Sequence, residues 1–377
     1  MKVFIPKQTS DGETRVALVP AAAKKLASPT LEVLIESGAG LLSAHRDDAY
    51  SAVGAKIVGA EAWSDADVIL VIQAPTVEQA NALKSGAVVI GMLAPLKNMP
   101  VIDAMASRGA SAMALEFLPR ITRAQAMDTL SSQSNIAGYK AVIMAAEKSP
   151  KIFPMLMTAA GTLQPAKVFV IGAGVAGLQA ISTAKRLGAV VTAYDVRPAV
   201  KEQVQSVGAK FLELPLETAG AQDKGGYAKE LTPEQQQKQR ELMSQAVIDS
   251  DVVITTAAIP GKPAPKLIPV DVVDKMQAGA VIVDLASETG GNCECTEPGK
   301  VIVRNGVTII GTFNIPGTVP FHASQVYATN LVNLLKLIVA KDGSLKIDTA
   351  DEVIAGVLLC HGGQIIHPRL KETLAHA

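Results

Sequence analysis

An apolar run followed by a glycine-rich turn occupies residues 168–177, which read Val168-Phe169-Val170-Ile171-Gly172-Ala173-Gly174-Val175-Ala176-Gly177. The run predicts a buried strand, and the motif opens a predicted helix with Leu178, Ile181 and Ala184 on one face. In a G-x-G-x-x-G pattern, Gly172 allows a tight turn, Gly174 lets a ligand approach the backbone, and Gly177 lets the helix pack closely on the strand. The first N–H groups of such a helix bind phosphate. The sequence therefore predicts a dinucleotide phosphate site at Gly172, Gly174, Val175 and Gly177.

An acidic residue ends the next predicted strand, Val190–Tyr194. At this place the carboxylate of Asp195 accepts hydrogen bonds from the adenosine ribose hydroxyls and repels a 2′-phosphate. Arg197 leaves an alternative open, because an arginine here can accommodate the 2′-phosphate of NADP. Since Asp195 stands at the strand end itself, we expect NAD(H) as the cofactor, with Val196 and Arg197 completing this portion of the site.

Short apolar segments alternate with amphipathic ones along the chain, which is typical of mostly parallel sheets covered by helices. Six strands with helical crossovers, as a full dinucleotide-binding domain requires, follow from residue 167 onward. We therefore expect an α/β protein with two Rossmann-like domains, each a doubly wound, mostly parallel sheet. The predicted strands are Lys2–Ile5, Leu31–Ile35, Asp67–Ile72, Ala87–Met92 and Ser111–Leu115, then Lys167–Ile171, Val190–Tyr194, Lys210–Leu214, Asp251–Thr256, Ala278–Asp284 and Val307–Ile310.

Two long helices are predicted to join the domains, with a cleft between them. One follows the polar stretch 131–135, a good N-capping region, and runs to about Lys148. The other starts after Ser324 and places apolar side chains on one face at helical spacing. The chain then continues to its end, so we expect a discontinuous first domain of residues 1–132 and 325–377, and a nucleotide-binding domain of residues 133–324.

The composition excludes several classes of protein. The 377 residues carry 35 Lys+Arg against 35 Asp+Glu, with 49% hydrophobic and 3% aromatic residues. This balance excludes a disordered chain and argues against nucleic-acid binding, which needs a basic surface and usually stacking rings. No apolar run approaches the roughly 18–20 residues of a membrane span. The three cysteines, two of them in a C-x-C spacing without a nearby histidine, predict reduced thiols in the cytosol and no metal site.

Three polar or glycine-rich segments remain as candidate sites. Ala258 and Ile259 lie in a loop after a predicted strand, at the sheet edge where ligands bind. Gly226 and Tyr227 lie in a long segment without apolar period, which serves either to close over a nucleotide or only as a connection. The segment 119–128 borders the expected cleft, and its charged side chains suit either a polar ligand or a set of salt bridges.

The chain resembles the alanine dehydrogenase/transhydrogenase family over nearly its whole length. The opening Ile5-Pro6-Lys7 and Glu13-Thr14-Arg15-Val16-Ala17-Leu18 is similar to the start of that family. Three further stretches are similar to its transhydrogenase branch: Arg120 to Asp128 followed by Ser131 to Asn135, Gly225 to Glu230, and Ile259 to Pro265. The resemblance implies an NAD(H)-binding component of a Re/Si-specific, proton-translocating enzyme, either a natural separate chain or a truncated one.

The resemblance also implies roles, partners and a location. Arg120, Gln125 and Asp128 would form a loop that positions the nicotinamide, Ser131 would contact it, and Tyr227 would close over the nucleotide. NADP(H) would be held by a partner component, and hydride would pass directly between the two nicotinamides. A membrane partner would couple this transfer to proton movement. We expect a homodimer that is cytoplasmic and peripheral to the inner membrane only through its partner subunits.

Two alternatives stay open. A soluble alanine dehydrogenase of the same family uses an Arg, a Lys, a His and an Asp. Here Arg15 matches, whereas Gln73, Met92 and Glu288 stand at the other three places. We therefore interpret Arg15 as a structural group paired with an acid. The second alternative, a non-catalytic NAD(H) sensor, would have no need for the polar groups of residues 120–128.

Overall fold

The computed structural model describes residues 1–213, 232–259, 262–340 and 342–375. Helices and strands alternate through most of this length. The elements up to the first long helix are β1 (Lys2–Ile5), α1 (Pro20–Leu26), β2 (Glu32–Glu36), α2 (Asp47–Ser51), β3 (Lys56–Val58), β4 (Val68–Gln73), α3 (Val77–Ala82), β5 (Val88–Met92), α4 (Met99–Ser107), β6 (Ser111–Ala114) and α5 (Thr129–Lys148).

The middle of the chain supplies a second set of elements. They are β7 (Leu156–Thr158), β8 (Gly161–Leu163), β9 (Lys167–Ile171), α6 (Val175–Arg186), β10 (Val190–Tyr194), α7 (Lys201–Ser206), β11 (Lys210–Phe211), α8 (Pro233–Ile248), β12 (Val252–Thr255), α9 (Val270–Val273), β13 (Val281–Asp284), β14 (Val301–Arg304) and β15 (Val307–Ile310). The last elements are α10 (Pro320–Ile338), α11 (Glu352–Val357), β16 (Leu358–His361), β17 (Gln364–Ile365) and α12 (Pro368–Ala375).

These elements form two compact units, here called the first unit and the second unit. The first unit combines Met1–Gln133 with Gly317–Ala377, and the second unit is Ser134–Pro316. Helix α5 contains the first division and α10 begins just after the second. The second division precedes the boundary that the sequence predicted between residues 324 and 325. It does so because α10 starts at Pro320, and the buried hydroxyl of Ser324 accepts a hydrogen bond from the N–H of Val16 at 3.0 Å in the first unit.

The first unit contains a sheet in the order β17-β16-β6-β5-β4-β1-β2-β3. Strands β6 to β3 in this order are parallel, and β16 and β17 add an antiparallel edge. Reading outward from β1, the parallel strands follow the doubly wound order. Successive residues of β1 belong to cores on opposite faces, with Val3 and Ile5 on one and Phe4 on the other. Both faces of the sheet are therefore covered, as parallel sheets require.

The second unit repeats this architecture with the order β11-β10-β9-β12-β13-β15-β14. Strands β11 to β15 in this order are parallel, and β14 is antiparallel to β15. The parallel order is again doubly wound, so the predicted fold class is confirmed. Strand β14 and the separate antiparallel hairpin β7–β8 were not predicted. Among the described residues, no helix is long and apolar enough to cross a lipid bilayer.

Helix α5 begins earlier than the polar stretch 131–135 indicated. The carboxylate of Asp128 accepts a hydrogen bond from the backbone N–H of Ser131 at 2.9 Å and thereby caps the helix about two turns before the predicted start. The polar residues then lie inside the helix because they find tertiary partners. Gln133, for example, is buried and donates to the carbonyl of Ala323 at 3.1 Å.

Candidate functional site

In the glycine-rich turn between β9 and α6, a side chain would collide with neighbouring atoms at two of the three glycines. Gly172 has a φ of +93°, and a Cβ there would lie 2.5 Å from the hydroxyl oxygen of Thr256. A Cβ on Gly177 would lie 1.8 Å from the carbonyl oxygen of Gly172, so this glycine lets the helix approach the turn. By contrast, a Cβ on Gly174 would meet no atom within 4 Å. The backbone at Gly174 is therefore open to a ligand.

Helix α6 presents its N-terminus at this open position. Gly174 is the N-cap residue, and among the described residues no side chain caps the helix. Its first N–H groups, starting at Val175, are consequently available to an anion, and the helix dipole favours negative charge there. The turn therefore has the features that a bound pyrophosphate needs.

Asp195 directly follows β10 and is connected to the same turn. Its carboxylate is buried and accepts a hydrogen bond from the N–H of Ala173 at 2.8 Å. It also accepts the backbone N–H of Arg197 at 2.9 Å and two guanidinium hydrogen bonds, from Nε at 2.9 Å and Nη2 at 2.8 Å. The hydrogen bond to Asp195 raises the pKa of the Arg197 guanidinium, which therefore stays charged. Half-buried Val196 lies between the two.

This arrangement fits a dinucleotide. An open glycine backbone, a helix N-terminus and an acid at the end of the neighbouring strand are the three elements of such a site, and the second unit brings all three together. Arg197 was the reason that NADP remained an alternative cofactor. In the structure its guanidinium donates to Asp195. A carboxylate at this position disfavours a 2′-phosphate by charge repulsion.

The loop after β12 is held by a buried asparagine that the sequence analysis did not single out. The side chain of Asn292 accepts from the N–H of Ala257 at 3.1 Å and donates to the Ala257 carbonyl at 2.8 Å. Ala258 is exposed and Ile259 is half-buried at the carboxyl edge of the sheet. The predicted site residues Gly226 and Tyr227, in the segment expected to close over a nucleotide, lie outside the described residues.

Asp284, which the sequence analysis placed only at the end of a predicted strand, is a second organiser of this edge. It is fully buried at the end of β13. Its carboxylate accepts hydrogen bonds from the hydroxyls of Thr255 and Thr296 and from the N–H groups of Ala286 and Cys293. The sequence did contain a signal for this role, since Asp284 is an acid at the end of a predicted strand and Gly290 and Gly291 follow it.

The segment 119–128 lies in the first unit and combines exposed and paired polar side chains. Arg120 and Gln125 are exposed, and residues Thr122–Met127 form a 3-10 helix. Asp128 caps α5, and its Oδ2 also accepts the hydroxyl of Ser131 at 2.5 Å. Arg123 instead forms an ion pair with Asp351 of the same unit. The sequence left two roles open for this segment, a polar ligand site and a set of salt bridges. The structure shows exposed polar side chains that suit the first role and one salt bridge that suits the second.

Arg15 is buried and paired with an acid, as the sequence analysis expected. Its guanidinium donates to both oxygens of Glu13, from Nε at 2.8 Å and from Nη2 at 2.7 Å, and to Oε1 of Gln133 at 2.8 Å. Gln73 donates to Glu13 at 2.8 Å. Burial raises the pKa of Glu13, but the hydrogen bonds and charge of Arg15 outweigh it, so the pKa lies below its usual value of 4.5.

Replacing Glu13 with glutamine is expected to destabilise the chain by about 3–5 kcal/mol, because it leaves the buried Arg15 charge without its partner. The unfolded chain binds a proton at Glu13 more readily than the folded chain. The charge of Glu13 therefore stabilises the fold above pH 4.5, and this contribution is lost as pH falls through the lowered pKa. Urea unfolding at neutral and acidic pH measures both effects, and the gap between parent and variant should narrow in acid.

An exposed glutamate provides the control for this experiment. Glu147→Gln removes one charge from a side chain that is 68% exposed, and its effect should stay within about 0.5 kcal/mol at either pH. An equally small effect of Glu13→Gln would show that the Arg15–Glu13 pair is not structural.

Comparisons with known proteins cover nearly the whole chain. The family model of the alanine dehydrogenase/PNT N-terminal domain matches residues 4–137, and that of the C-terminal domain matches residues 141–368. The chain is 49% identical to a Rhodospirillum rubrum protein that is named as the first portion of NAD(P) transhydrogenase subunit alpha, covering 98% of this chain and 99% of that protein. It is 29% identical to alanine dehydrogenase of Mycobacterium tuberculosis, covering 99% and 97%.

A solved structure is also similar over the full length. The crystal structure of transhydrogenase from Sinorhizobium meliloti shares 45% of its sequence with this chain, at a TM-score of 0.85. The likeness covers 98% of this chain and 100% of that one.

Proposed function

This chain belongs to the alanine dehydrogenase/PNT family, and on that premise we propose that it is the NAD(H)-binding component of a proton-translocating NAD(P)+ transhydrogenase. Hydride passes directly between NADH on this chain and NADP+ on a partner component, and a membrane partner couples the transfer to protons. The identity of 49% to a transhydrogenase subunit, against 29% to an alanine dehydrogenase, is the observation that carries the proposal.

The chain's own residues hold and orient the cofactor. The backbone at Gly172, Gly174, Val175 and Gly177 binds the pyrophosphate, and Asp195, with Val196 and Arg197 beside it, binds the adenosine ribose. Arg120, Gln125, Asp128 and Ser131 position the nicotinamide, which when bound supplies the hydride. The loop after β12 completes the site through Ala258 and Ile259, and Tyr227, with Gly226 beside it, closes over the nucleotide.

Such a site needs no general acid or base. Direct transfer requires that the two rings are held at reacting distance and that water is excluded. Among the described residues, the proposed nicotinamide clamp offers only arginine, amide, hydroxyl and carboxylate groups, which orient a carboxamide well. The proposal is therefore consistent with the chemistry of the side chains in segment 119–128 and at Ser131.

The dehydrogenase alternative requires groups that bind and protonate a keto acid. Gln73 and Met92 occupy the places of the family's Lys and His, and Gln73 is engaged by Glu13. The chain alone, given NADH, pyruvate and ammonia, should therefore oxidise no NADH above the rate without protein. Sustained oxidation that depends on all three substrates would establish the dehydrogenase instead.

Selectivity for NAD(H) is assigned to Asp195. In Asp195→Ala, the ribose hydroxyls lose a charged acceptor, and we expect NADH affinity to fall about 10- to 100-fold. NADPH affinity should fall less or rise, because the negative charge that repels its 2′-phosphate is gone and Arg197 is released. Calorimetry with both nucleotides measures the ratio of the two affinities.

The control for this variant is Asp249→Ala, which removes an exposed carboxylate at the end of α8. It should leave both affinities unchanged. If Asp195→Ala kept the parent's ratio of NADH to NADPH affinity, Asp195 would not be the ribose ligand.

We further propose a homodimer formed through the hairpin β7–β8. A two-stranded hairpin is at best marginally stable alone, and this one exposes large apolar side chains. Met157 is 80% exposed, and Met155, Leu156 and Leu163 are each close to half exposed. Large apolar side chains clustered on a strand pair suit burial against a second copy of the same surface.

A charged hairpin should therefore prevent dimer formation. Met157→Asp is expected to give a monomer at micromolar concentration in analytical ultracentrifugation. This monomer should remain folded and should still unfold in a cooperative thermal transition. Val303→Asp changes another exposed apolar side chain, 69% exposed on edge strand β14, and should remain dimeric. A dimeric Met157→Asp would place the interface elsewhere.

A further inference from the structure

We infer that Arg123 and Asp351 are positioning residues that fix the segment bearing Arg120 and Gln125; this rests on the proposed function. Arg123 donates two parallel hydrogen bonds to the carboxylate of Asp351, from Nη1 at 2.7 Å and from Nη2 at 2.8 Å. A bidentate arginine–carboxylate pair fixes orientation as well as distance. The two residues are 228 positions apart in the sequence, so the contact ties the segment to a distant element of the first unit.

Asp351 is itself held on a fixed support. Its Oδ1 accepts the N–H groups of Val353 at 2.9 Å and Ile354 at 3.2 Å, which makes it the N-cap of α11. Val353, Ile354 and Val357 of this helix are fully buried in the core of the first unit. The carboxylate that receives Arg123 is therefore already oriented by the helix.

Helix α11 also contacts the segment on the other side of Arg120. A Cβ on Gly356 would lie 2.9 Å from Cδ and 3.3 Å from Cγ of Pro119, so the helix backbone packs closely against this proline. His367, whose Nε2 is 3.2 Å from the Gly356 carbonyl, stacks on the ring of Phe117 with centroids 4.8 Å apart. One short helix and its surroundings thus hold the chain before and after Arg120.

The far end of the segment is held by α10 and by its own cap. Asn330 and Asn333 donate to the carbonyl of Ala126 at 2.9 and 3.1 Å, and Asp128 caps α5. Between these fixed points, the exposed side chains of Arg120 and Gln125 project from a backbone with few alternative conformations. A clamp for hydride transfer needs such a fixed backbone, because small displacements from the reacting geometry lower the transfer rate strongly.

The pair contributes more to orientation than to stability. The Arg123 side chain is 50% exposed, and exposed ion pairs contribute little to the free energy of unfolding. The hydrogen bonds from Arg123 lower the pKa of Asp351, so the carboxylate is charged at neutral pH. Breaking the pair should therefore loosen segment 119–128 without unfolding the chain.

Two variants test this on the full chain. Arg123→Gln removes the guanidinium, and Asp351→Asn removes the charge while keeping an amide oxygen that still caps α11. Each should increase backbone hydrogen exchange in residues 119–128, measured by mass spectrometry on the chain alone. In a mixture with a transhydrogenase NADP(H)-binding component, each should slow single-turnover hydride transfer about 10-fold or more. The NADH dissociation constant should stay within about two-fold, and the double variant should be no slower than either single one.

The control is Arg46→Gln, which breaks another exposed arginine–aspartate pair of the first unit, with Asp48 at 3.2 Å. It should change none of these quantities. Unchanged exchange and an unchanged transfer rate in Arg123→Gln would overturn the inference, as would a loss of rate that merely follows a lowered melting temperature. A parent chain that transfers no hydride would refute the proposed function, and the exchange measurement would still decide whether the pair orders the segment.

Discussion

Replacing Arg120 with alanine is expected to slow hydride transfer to NADP+ on the partner component about 100-fold or more. NADH affinity should weaken by less than about 10-fold, because the glycine turn and Asp195 supply most of the proposed binding contacts. Arg120 is exposed on a segment whose backbone is fixed on both sides, by Pro119 against Gly356 and by Arg123 against Asp351. Its loss should therefore remove an orienting group while leaving the segment in place.

Stopped-flow transfer and equilibrium NADH titration separate the two effects on the same protein. Arg46→Ala is a suitable control, because Arg46 is 79% exposed in the same unit and has no proposed contact with the cofactor. A transfer rate in Arg120→Ala equal to that of the control would remove Arg120 from the site. It would also favour the sensor, which has no need for this group.

A methyl group on Gly177 is expected to abolish tight NADH binding and to destabilise the second unit. The added Cβ would lie 1.8 Å from the carbonyl oxygen of Gly172, so α6 must move away from the turn. Overpacking of this kind costs about 1–3 kcal/mol. The same movement displaces the N–H groups proposed to bind pyrophosphate, and we expect a loss of affinity of about 100-fold or more.

Gly174→Ala separates binding from folding at the same turn. Its φ of −76° suits alanine, and the Cβ would meet no atom within 4 Å. Stability should therefore change by less than about 0.5 kcal/mol. NADH affinity should nevertheless fall about 10-fold or more, because the methyl group occupies the space through which the pyrophosphate approaches the backbone. Calorimetric binding and thermal unfolding of both variants measure this contrast, and unchanged affinity in Gly174→Ala would place the pyrophosphate elsewhere.

The sequence was sufficient for the central strands of both sheets because their signals are local. Strands β1, β9, β10 and β15 have the bounds that their apolar runs predicted, and the turn at residues 172–177 follows β9 as expected. Buried parallel strands are continuous apolar runs, so burial alone defines them.

Edge elements were missed where a local signal was overlooked or absent. Asn305-Gly306 between β14 and β15 is a strong hairpin signal, and both residues have positive φ, at 48° and 80°. That hairpin was predictable from the sequence. The start of α5 was not predictable from the sequence. A cap at Asp128 is favoured only once Gln133 and its neighbours have partners in α10.

The residues of the candidate site are predictions from the sequence, whereas the contacts that hold them became visible only in the structure. The pairing of Arg15 with an acid was anticipated from the missing dehydrogenase groups, and Glu13 lies only two residues away. The pair Arg123–Asp351 and the asparagine that holds the loop after β12 join distant regions of the chain. No spacing rule specifies such contacts, since the fold determines which distant residues meet.

The most direct test mixes this chain with a soluble NADP(H)-binding component of a transhydrogenase and follows the reduction of an NAD+ analogue by NADPH. Each protein alone serves as a control. The proposed function predicts rapid reduction in the mixture and none in either control. No reduction in the mixture, with the partner shown to be active toward another NAD(H)-binding component, would contradict it.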